Sequence, residues 1–483
     1  MDFALRRIAQ ACLLAISVSL TPAMGSTTDI SLPDIGPNAR TPDEERRLGE
    51  AFMRIVRQEV AVINDPELSE YIWNLGYKLV ANSDFRGTNF SFFMVQDNSI
   101  NAFAGPGGYI GVHSGLILTA ENEGELAAVL AHEIAHVTQH HLDRAMEAEG
   151  KMDLPLAAAI AAAIILGSQN SNIAEAAIVT GIAANVQSRL NFSRSHEREA
   201  DQIGMRILVQ SSYDPQSMPA FFERMQQGES LSDSAPEFLR THPVTINRIA
   251  ESKNRANQYQ IKTDNDSQMF HLMRAKLQVM ASQNLPQLIR AYEQELKAGT
   301  FRNEIAHRYG YAQALLANND FDRAREQASL LIKKDGEKIT YDILFAQIEL
   351  ASGRVAQGLR KLDDALVLSP SNPVLAQLYA TALLRNEQPH KAKQILLTVP
   401  PERRTANFLK LHAQAERDSG FPGRSHQLLA EYYYQMGYTR TAIDQLNLAL
   451  REKDIETAEA GTIRARIDEL KDLVRQERQQ ANQ

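Results

Sequence analysis

Apolar positions recur at helical spacing over the first ordered stretch of the chain. Leu48, Phe52, Ile55, Val56 and Val60 share one face, after a start favoured by Pro42, Asp43, Glu44 and Glu45, and a second helix is predicted from Pro66 to Val80. Strand character follows. Phe90 to Val95 (FSFFMV) and Tyr109 to Val112 predict two strands, the second after the turn Gly105-Pro106-Gly107-Gly108. A long helix is expected from Glu121 to about Glu149, then an unusually apolar stretch over 154–184, then helix again from about 186 to 210. Residues 227–241 read as loop, and a polar region near 252–267 marks a boundary.

Beyond that boundary the pattern repeats. Small residues stand at Ala312, Ala346 and Ala380, 34 apart, and at Ala324, Gly358 and Ala392, again 34 apart. Asn319, Gly353 and Glu387 keep the same register at the turn, and Pro370 stands where a repeat should close. The internal offset of 12 returns at Ala413/Ser425 and Ala430/Ala442, with Gly420 and Gly437 in the turns. This pattern resembles the tetratricopeptide repeat, a helix-turn-helix unit that stacks into a solenoid. Its signature Trp is absent and the register slips after residue 400. Such units bind peptides or proteins along a concave surface, so this half implies a partner and not a reaction.

Composition narrows the class. A chain of 483 residues suggests about three domains at roughly 150 residues each. Hydrophobic content of 44% and charged content of 23% argue against a mainly disordered, collagen-like or polytopic membrane chain. With 51 Lys+Arg against 59 Asp+Glu the net charge is -8, so no global basic field draws the chain to nucleic acid, and no nucleic-acid partner is expected. Arg6 and Arg7, the apolar run Ile8 to Leu20 and the small-residue site Ala23-Met24-Gly25 read as a cleaved secretory signal peptide over residues 1–25. The run is too short for a membrane span, which takes about 20 apolar residues. Residues 26–41 are expected to form an extended leader. The one cysteine, Cys12, lies inside the signal. A mature chain from Ser26 would hold no disulfide and no thiolate site, so any metal site must use histidines and carboxylates.

Such residues stand together at His132-Glu133-Ile134-Ala135-His136. Side chains four apart on a helix project from one face, so both imidazoles can reach one ion, and Glu133 beside them is suited to take a proton from water. Zinc needs a third protein ligand and an open fourth position. A His six residues after the second one, with a helix-breaking Gly between, is excluded, because those positions hold Leu142 and Gln139. His140 and His141 are expected to prolong the helix. His140 shares the face of His136 but is two turns from His132, which makes it a poor third ligand. A Glu from a later helix is the other route. In His196-Glu197-Arg198-Glu199-Ala200-Asp201, Glu197 and Asp201 are four apart, so one can bind metal while the other orients an imidazole. The plainer reading, a solvated charged face, suits Arg198 and Glu199.

HEIAH, followed some 60 residues later by EREAD, resembles the gluzincin peptidases that include the CAAX prenyl proteases and the bacterial heat-shock protease HtpX. Asn101-Ala102-Phe103-Ala104, Pro106-Gly107-Gly108 and Gly115-Leu116 resemble that family's edge-strand region, and Thr241-His242-Pro243 with Arg248 its His-Pro...Arg segment. The four blocks cover about residues 95 to 250. The implied fold is mainly α: an α+β, zincin-like metalloprotease domain with a small β-sheet over 42–250, a linker over 251–266, and an all-α tetratricopeptide solenoid over 267–483. The resemblance implies His132, His136 and Glu197 as ligands of one Zn²⁺ and Glu133 as general base. It also implies Asp201 orienting a ligand, and His242 and Arg248 near the oxyanion. Integral family members carry transmembrane helices. Here Leu154 to Leu166 is 13 residues, about 20 Å of helix, too short to span. With a signal peptide and repeats, the chain resembles periplasmic relatives. That implies a secreted metalloendopeptidase acting on unfolded or stalled proteins, with a chaperone-like role in assembly and quality control of outer-membrane β-barrel proteins. Its implied partners are those proteins and their assembly machinery, met through the repeats, with peripheral membrane contact allowed. The alternative is a repeat-based binding protein whose zinc is structural or latent.

Three further points stay open in sequence. The strand Tyr109 to Val112 either pairs with an extended substrate by β-augmentation or is a simple edge of the core. His242 either donates a hydrogen bond to the transition state, the favoured role, or swings onto the metal and holds the enzyme latent. The apolar segments 154–166 and 173–184 are either core helices or a lid over the cleft.

Overall fold

The computed structural model describes residues 40–83, 90–147, 154–166, 194–231, 236–259 and 267–481. The signal peptide, the leader to residue 39, the segment 173–184 and residues 260–266 of the boundary lie outside the described residues. Helix α1, Pro42–Glu59, opens on a capping box in which Thr41 and Glu44 satisfy each other's backbone, and it buries Leu48, Phe52 and Val56. Helix α2, Pro66–Ala81, is capped by Asp65. Strands β1 (Ser91–Val95), β2 (Ala102–Ala104) and β3 (Tyr109–His113) form one sheet in the order β1-β3-β2. β3 runs parallel to β1 and antiparallel to β2. The expectation that Tyr109–Val112 pairs with substrate is thereby corrected: both ladders of β3 are already occupied, and the outer ladder belongs to β2. That strand is three residues long, too short for periodicity to mark.

Helix α3, Ser114–Thr119, leads into helix α4, Glu123–Thr138, which is capped by Asn122 and carries HEIAH; fifteen of its sixteen residues are buried, all but Val137. The sequence pattern predicts this helix to about residue 149. It stops at Thr138 because His140 adopts φ 53, a left-handed conformation that no helix continues, and α5 restarts at His141–Glu147. Helix α6, Leu154–Leu166, sets Ala157, Ala158, Ala161 and Ala162 against Leu48, Phe52 and Val56 of α1 and against Phe93 and Phe103 of the sheet. It is a core helix. Helix α7, Arg194–Gln210, carries EREAD and lies directly on α4: a Cβ on Gly204 would stand 3.0 Å from the His132 nitrogen. The stretch 227–241, expected as loop, is partly helical, in α8 (Ser217–Leu231) and α9 (Glu237–Thr241), followed by α10 (Ile246–Ala256). Among the described residues no helix is long and apolar enough to cross a membrane.

Antiparallel helix pairs occupy the second half, from Gln268–Ala281 with Leu285–Ala298 to Thr439–Ala449 and the terminal helix Thr457–Ala481. Ala312, Ala346 and Ala380 and their partners Ala324, Gly358 and Ala392 are buried where helices cross. Asn319, Gly353 and Glu387 all take positive φ in the intervening turns, the geometry a helix C-terminus needs to reverse. The hydrophobic core does not respect the polar boundary: one cluster runs from Ile63 through Leu130 to Ile348. Two further ties join the halves. Lys276 Nζ lies buried 2.5 Å from Glu67 Oε2 and 2.8 Å from Asp65 Oδ2, and Arg54 Nη1 donates to Tyr434 Oη at 2.9 Å.

Candidate metal centre

The HEIAH helix presents His132 and His136 from one turn to the next, and α7 crosses it so that Glu197 meets both. His132 Nε2 and His136 Nε2 are 3.0 Å apart. Glu197 Oε2 lies 3.5 Å from the first and Oε1 3.4 Å from the second. His242, at the end of α9, brings its Nδ1 to 3.4 Å from His132 Nε2 and 3.1 Å from Glu197 Oε1. A zinc ion at ~2.0–2.1 Å from four tetrahedral donors holds them about 3.3 Å apart, and the imidazole nitrogens and Glu197 oxygens stand 3.0–3.5 Å from one another. The ligand atoms of His132, His136, Glu197 and His242 all fall within 4.8 Å of one another in a fully buried cluster. The donor set of imidazoles and one carboxylate is the one zinc prefers. This cluster could hold one metal ion, and its donors suit zinc.

Electrostatics point the same way. Burial pulls the His132 imidazole down, but hydrogen bonds it donates to the Asp201 and Glu197 carboxylates outweigh it and hold it at about 10. Burial pushes the Glu197 carboxyl up, yet the His242 and His132 imidazoles hold it well below the usual carboxylate range. Burial and the neighbouring His132 keep His136 neutral. The centre of the cluster therefore favours positive charge, faced by an ionised carboxylate and a neutral imidazole.

Behind the donors stands a fixed frame. Asp201 Oδ1 lies 3.1 Å from His132 Nδ1, which directs the Nε2 lone pair inward. Arg248 Nε and Nη2 donate to the two Asp201 oxygens at 2.8 Å each, and Nη1 meets Glu197 Oε2 and the Pro243 carbonyl at 2.8 Å. Arg248, expected near the oxyanion, is buried, and its donors are engaged by the Asp201 and Glu197 carboxylates and the Pro243 carbonyl. Glu133 accepts a backbone hydrogen bond from Ala104 on β2 and faces His242 Nε2 at 3.5 Å. Burial pushes its carboxyl up, partly offset by the His242 and His132 imidazoles.

The structure thus brings His132, Glu133, His136, Glu197, Asp201 and His242 into one cluster, with Arg248 behind it. His140 turns away, its Nδ1 3.4 Å from Asp143. Sequence reasoning missed His141, which the break at His140 folds back so that its Nδ1 stands 2.9 Å from His136 Nδ1. It also missed the Ala104 amide, whose role no side-chain pattern announces.

Comparison with known proteins extends this picture to the whole chain. Residues 66–256 match the model of peptidase family M48, and residues 349–415 match a tetratricopeptide repeat. The β-barrel assembly-enhancing protease of Escherichia coli (strain K12) is 34% identical over 461 residues, 94% of each chain. That of Yersinia pestis is 32% identical over 449 residues, 92% of each. The mitochondrial metalloendopeptidase OMA1 of Schizosaccharomyces pombe is 28% identical over 202 residues, 42% of this chain and 56% of that one. Similarity that runs through peptidase helices and repeats alike makes the chain a member of peptidase family M48, a zinc metallopeptidase with a tetratricopeptide solenoid, grouped with the β-barrel assembly-enhancing proteases.

Proposed function

We propose that the protein is a periplasmic endopeptidase that cleaves unfolded or stalled outer-membrane β-barrel proteins and helps their assembly through its repeats. The observation that carries the reading is the burial of Glu133 beside a complete zinc donor set. The substrate class rests on relatives named for β-barrel assembly enhancement. In this reading residues 1–25 direct export, 42–250 form the peptidase, 251–266 the linker, and 267–483 the surface that meets substrate proteins and their assembly machinery.

His132, His136 and Glu197 would hold a zinc ion, which when bound would supply Lewis acidity toward the scissile carbonyl and the attacking water. An extended peptide adds to the outer ladder of β2, which selects unfolded segments more by backbone than by side chain. Glu133 takes the proton of the attacking water and returns it to the leaving amine. Its raised carboxyl suits both transfers, and the Ala104 hydrogen bond couples its orientation to the strand that receives substrate. Asp201 and Arg248 hold His132 and Glu197 in register.

A second reading concerns His242. Its Nδ1 stands among the donors and its Nε2 toward Glu133, in the space an attacking water would use. This favours a latch that keeps the enzyme latent over a transition-state donor.

The test is zinc content and cleavage of an unfolded β-barrel protein by full-length mature chain, wild type beside Glu133→Gln. One zinc in both, with cleavage by wild type alone, is the expected result. Zinc in both with cleavage in neither would point to the alternative of a repeat-based binding protein with a structural or latent metal. No zinc would overturn the donor assignment.

A further inference from the structure

Each metal-facing imidazole must carry its proton on the outer nitrogen, so that the inner one offers a lone pair. That outer N–H needs an acceptor. For His132 the acceptor is Asp201. For His136 the outer nitrogen, Nδ1, is met by another imidazole, His141 Nδ1 at 2.9 Å. Two ring nitrogens at that distance share one proton, and the metal-facing role of His136 Nε2 fixes where it sits: on His136 Nδ1, with His141 Nδ1 accepting. His141 must then hold its own proton on Nε2. That nitrogen lies 3.1 Å from Glu199 Oε2, a carboxylate oxygen able to accept it, and Arg144 Nη1 approaches the same oxygen at 3.4 Å. The His196 ring stacks on His141 with centroids 4.5 Å apart and planes 14° from parallel, which locks the ring plane. His141 itself is completely buried.

The backbone is built for this contact. On a continuous helix a residue five positions after His136 would point about 140° away from it. The left-handed residue His140 turns the chain back under the HEIAH helix, a conformation that is unfavourable for a non-glycine residue.

We infer that His141, backed by Glu199 and Arg144, is a positioning residue for the zinc site: it accepts the Nδ1 proton of His136 and fixes the tautomer in which His136 binds metal. The inference rests on the zinc reading of the cluster. It gives the two histidines of HEIAH different supports, a buried carboxylate for one and an imidazole relay to a half-exposed carboxylate for the other.

Zinc affinity of the full chain, measured by competition with a chromophoric chelator, tests it without recourse to activity. Phe at 141 keeps the ring shape and removes the acceptor; Asn restores an oxygen where Nδ1 stood. His141→Phe should bind zinc ~10–100-fold more weakly than wild type, the usual effect of losing such a support. His141→Asn should recover most of that loss, and Glu199→Gln should fall between wild type and His141→Phe. Wild-type affinity in His141→Phe, or equal loss in the Phe and Asn variants, would overturn the inference, since packing alone would then account for His141. Should His141→Phe fail to fold, Glu199→Leu decides, because it removes the acceptor altogether: the Glu199 side chain is 38% exposed, so unchanged affinity at unchanged melting temperature would overturn the relay. A wild-type chain that binds no zinc would instead defeat the metallopeptidase reading itself.

Discussion

At the scale of residues, the site depends on where protons and charges are allowed to sit. His242 bridges the base and the donors, so its removal separates the two roles open to it. His242→Ala should raise basal cleavage of an unfolded protein in a steady-state assay; a fall would assign His242 to transition-state donation. Asp201 has a different part. Replacing it by Asn withdraws the negative charge shared by His132 and Arg248, and zinc affinity by chelator competition should drop ~10–100-fold. Most of this was legible in the sequence. His132 and His136, and Glu197 and Asp201, are each four apart, and that spacing on a helix is a geometric statement. His141 was not legible, because its contact depends on a left-handed backbone that no side-chain pattern at His140 encodes. Arg248 was legible as a member of the site but not in its direction, since five donors on one side chain suit several partners.

Among elements, the crossing of α4 and α7 sets the metal geometry. Gly204 follows Glu197 and Asp201 on the face that meets α4, where a side chain would press on the backbone at Ala131 and His132. Gly204→Val should separate the two helices, lower stability by ~1–3 kcal/mol and weaken zinc binding together, read by thermal melting and chelator competition. Weakened stability with wild-type zinc affinity would mean the ligands adjust independently of the crossing. The sequence marked both helices, because long apolar periodicity is a strong signal. Periodicity did not mark β2, which only the resemblance over Asn101–Ala104 pointed to, because three residues gain their identity from pairing with β3 and not from any alternation of their own. Nor did it mark the end of α4, where the apolar pattern continues after the backbone has turned.

Taken whole, the molecule is less divided than its sequence. The polar stretch near 252–267 reads as a linker, yet the core passes from peptidase to repeats without a break, and Lys276 meets Glu67 and Asp65 across it. Lys276→Ala would leave the buried Glu67 carboxylate without its cation, at a cost of about 3–5 kcal/mol by chemical denaturation. A chain ending at residue 256 should lose the packing of Phe270, Leu272 and Met273 and melt well below the full chain. The 34-residue period was visible because small residues at helix crossings recur locally. Contacts such as Arg54 with Tyr434 were not, since partners 380 residues apart leave no periodic trace.

One of those long-range contacts gives the protein an optical signal of its own. Trp73 is the single tryptophan of the chain, and the Arg403 guanidinium stands over its ring, 3.4 Å from the centroid, while pairing with Glu70 333 residues away in sequence. Its emission therefore reports when the late repeats have come to rest on the second helix. During refolding that change should lag behind the far-ultraviolet helical signal, because so long a loop closes after local helices have formed. The same order leaves this face of the peptidase bare until the repeat region around Arg403 has folded onto it.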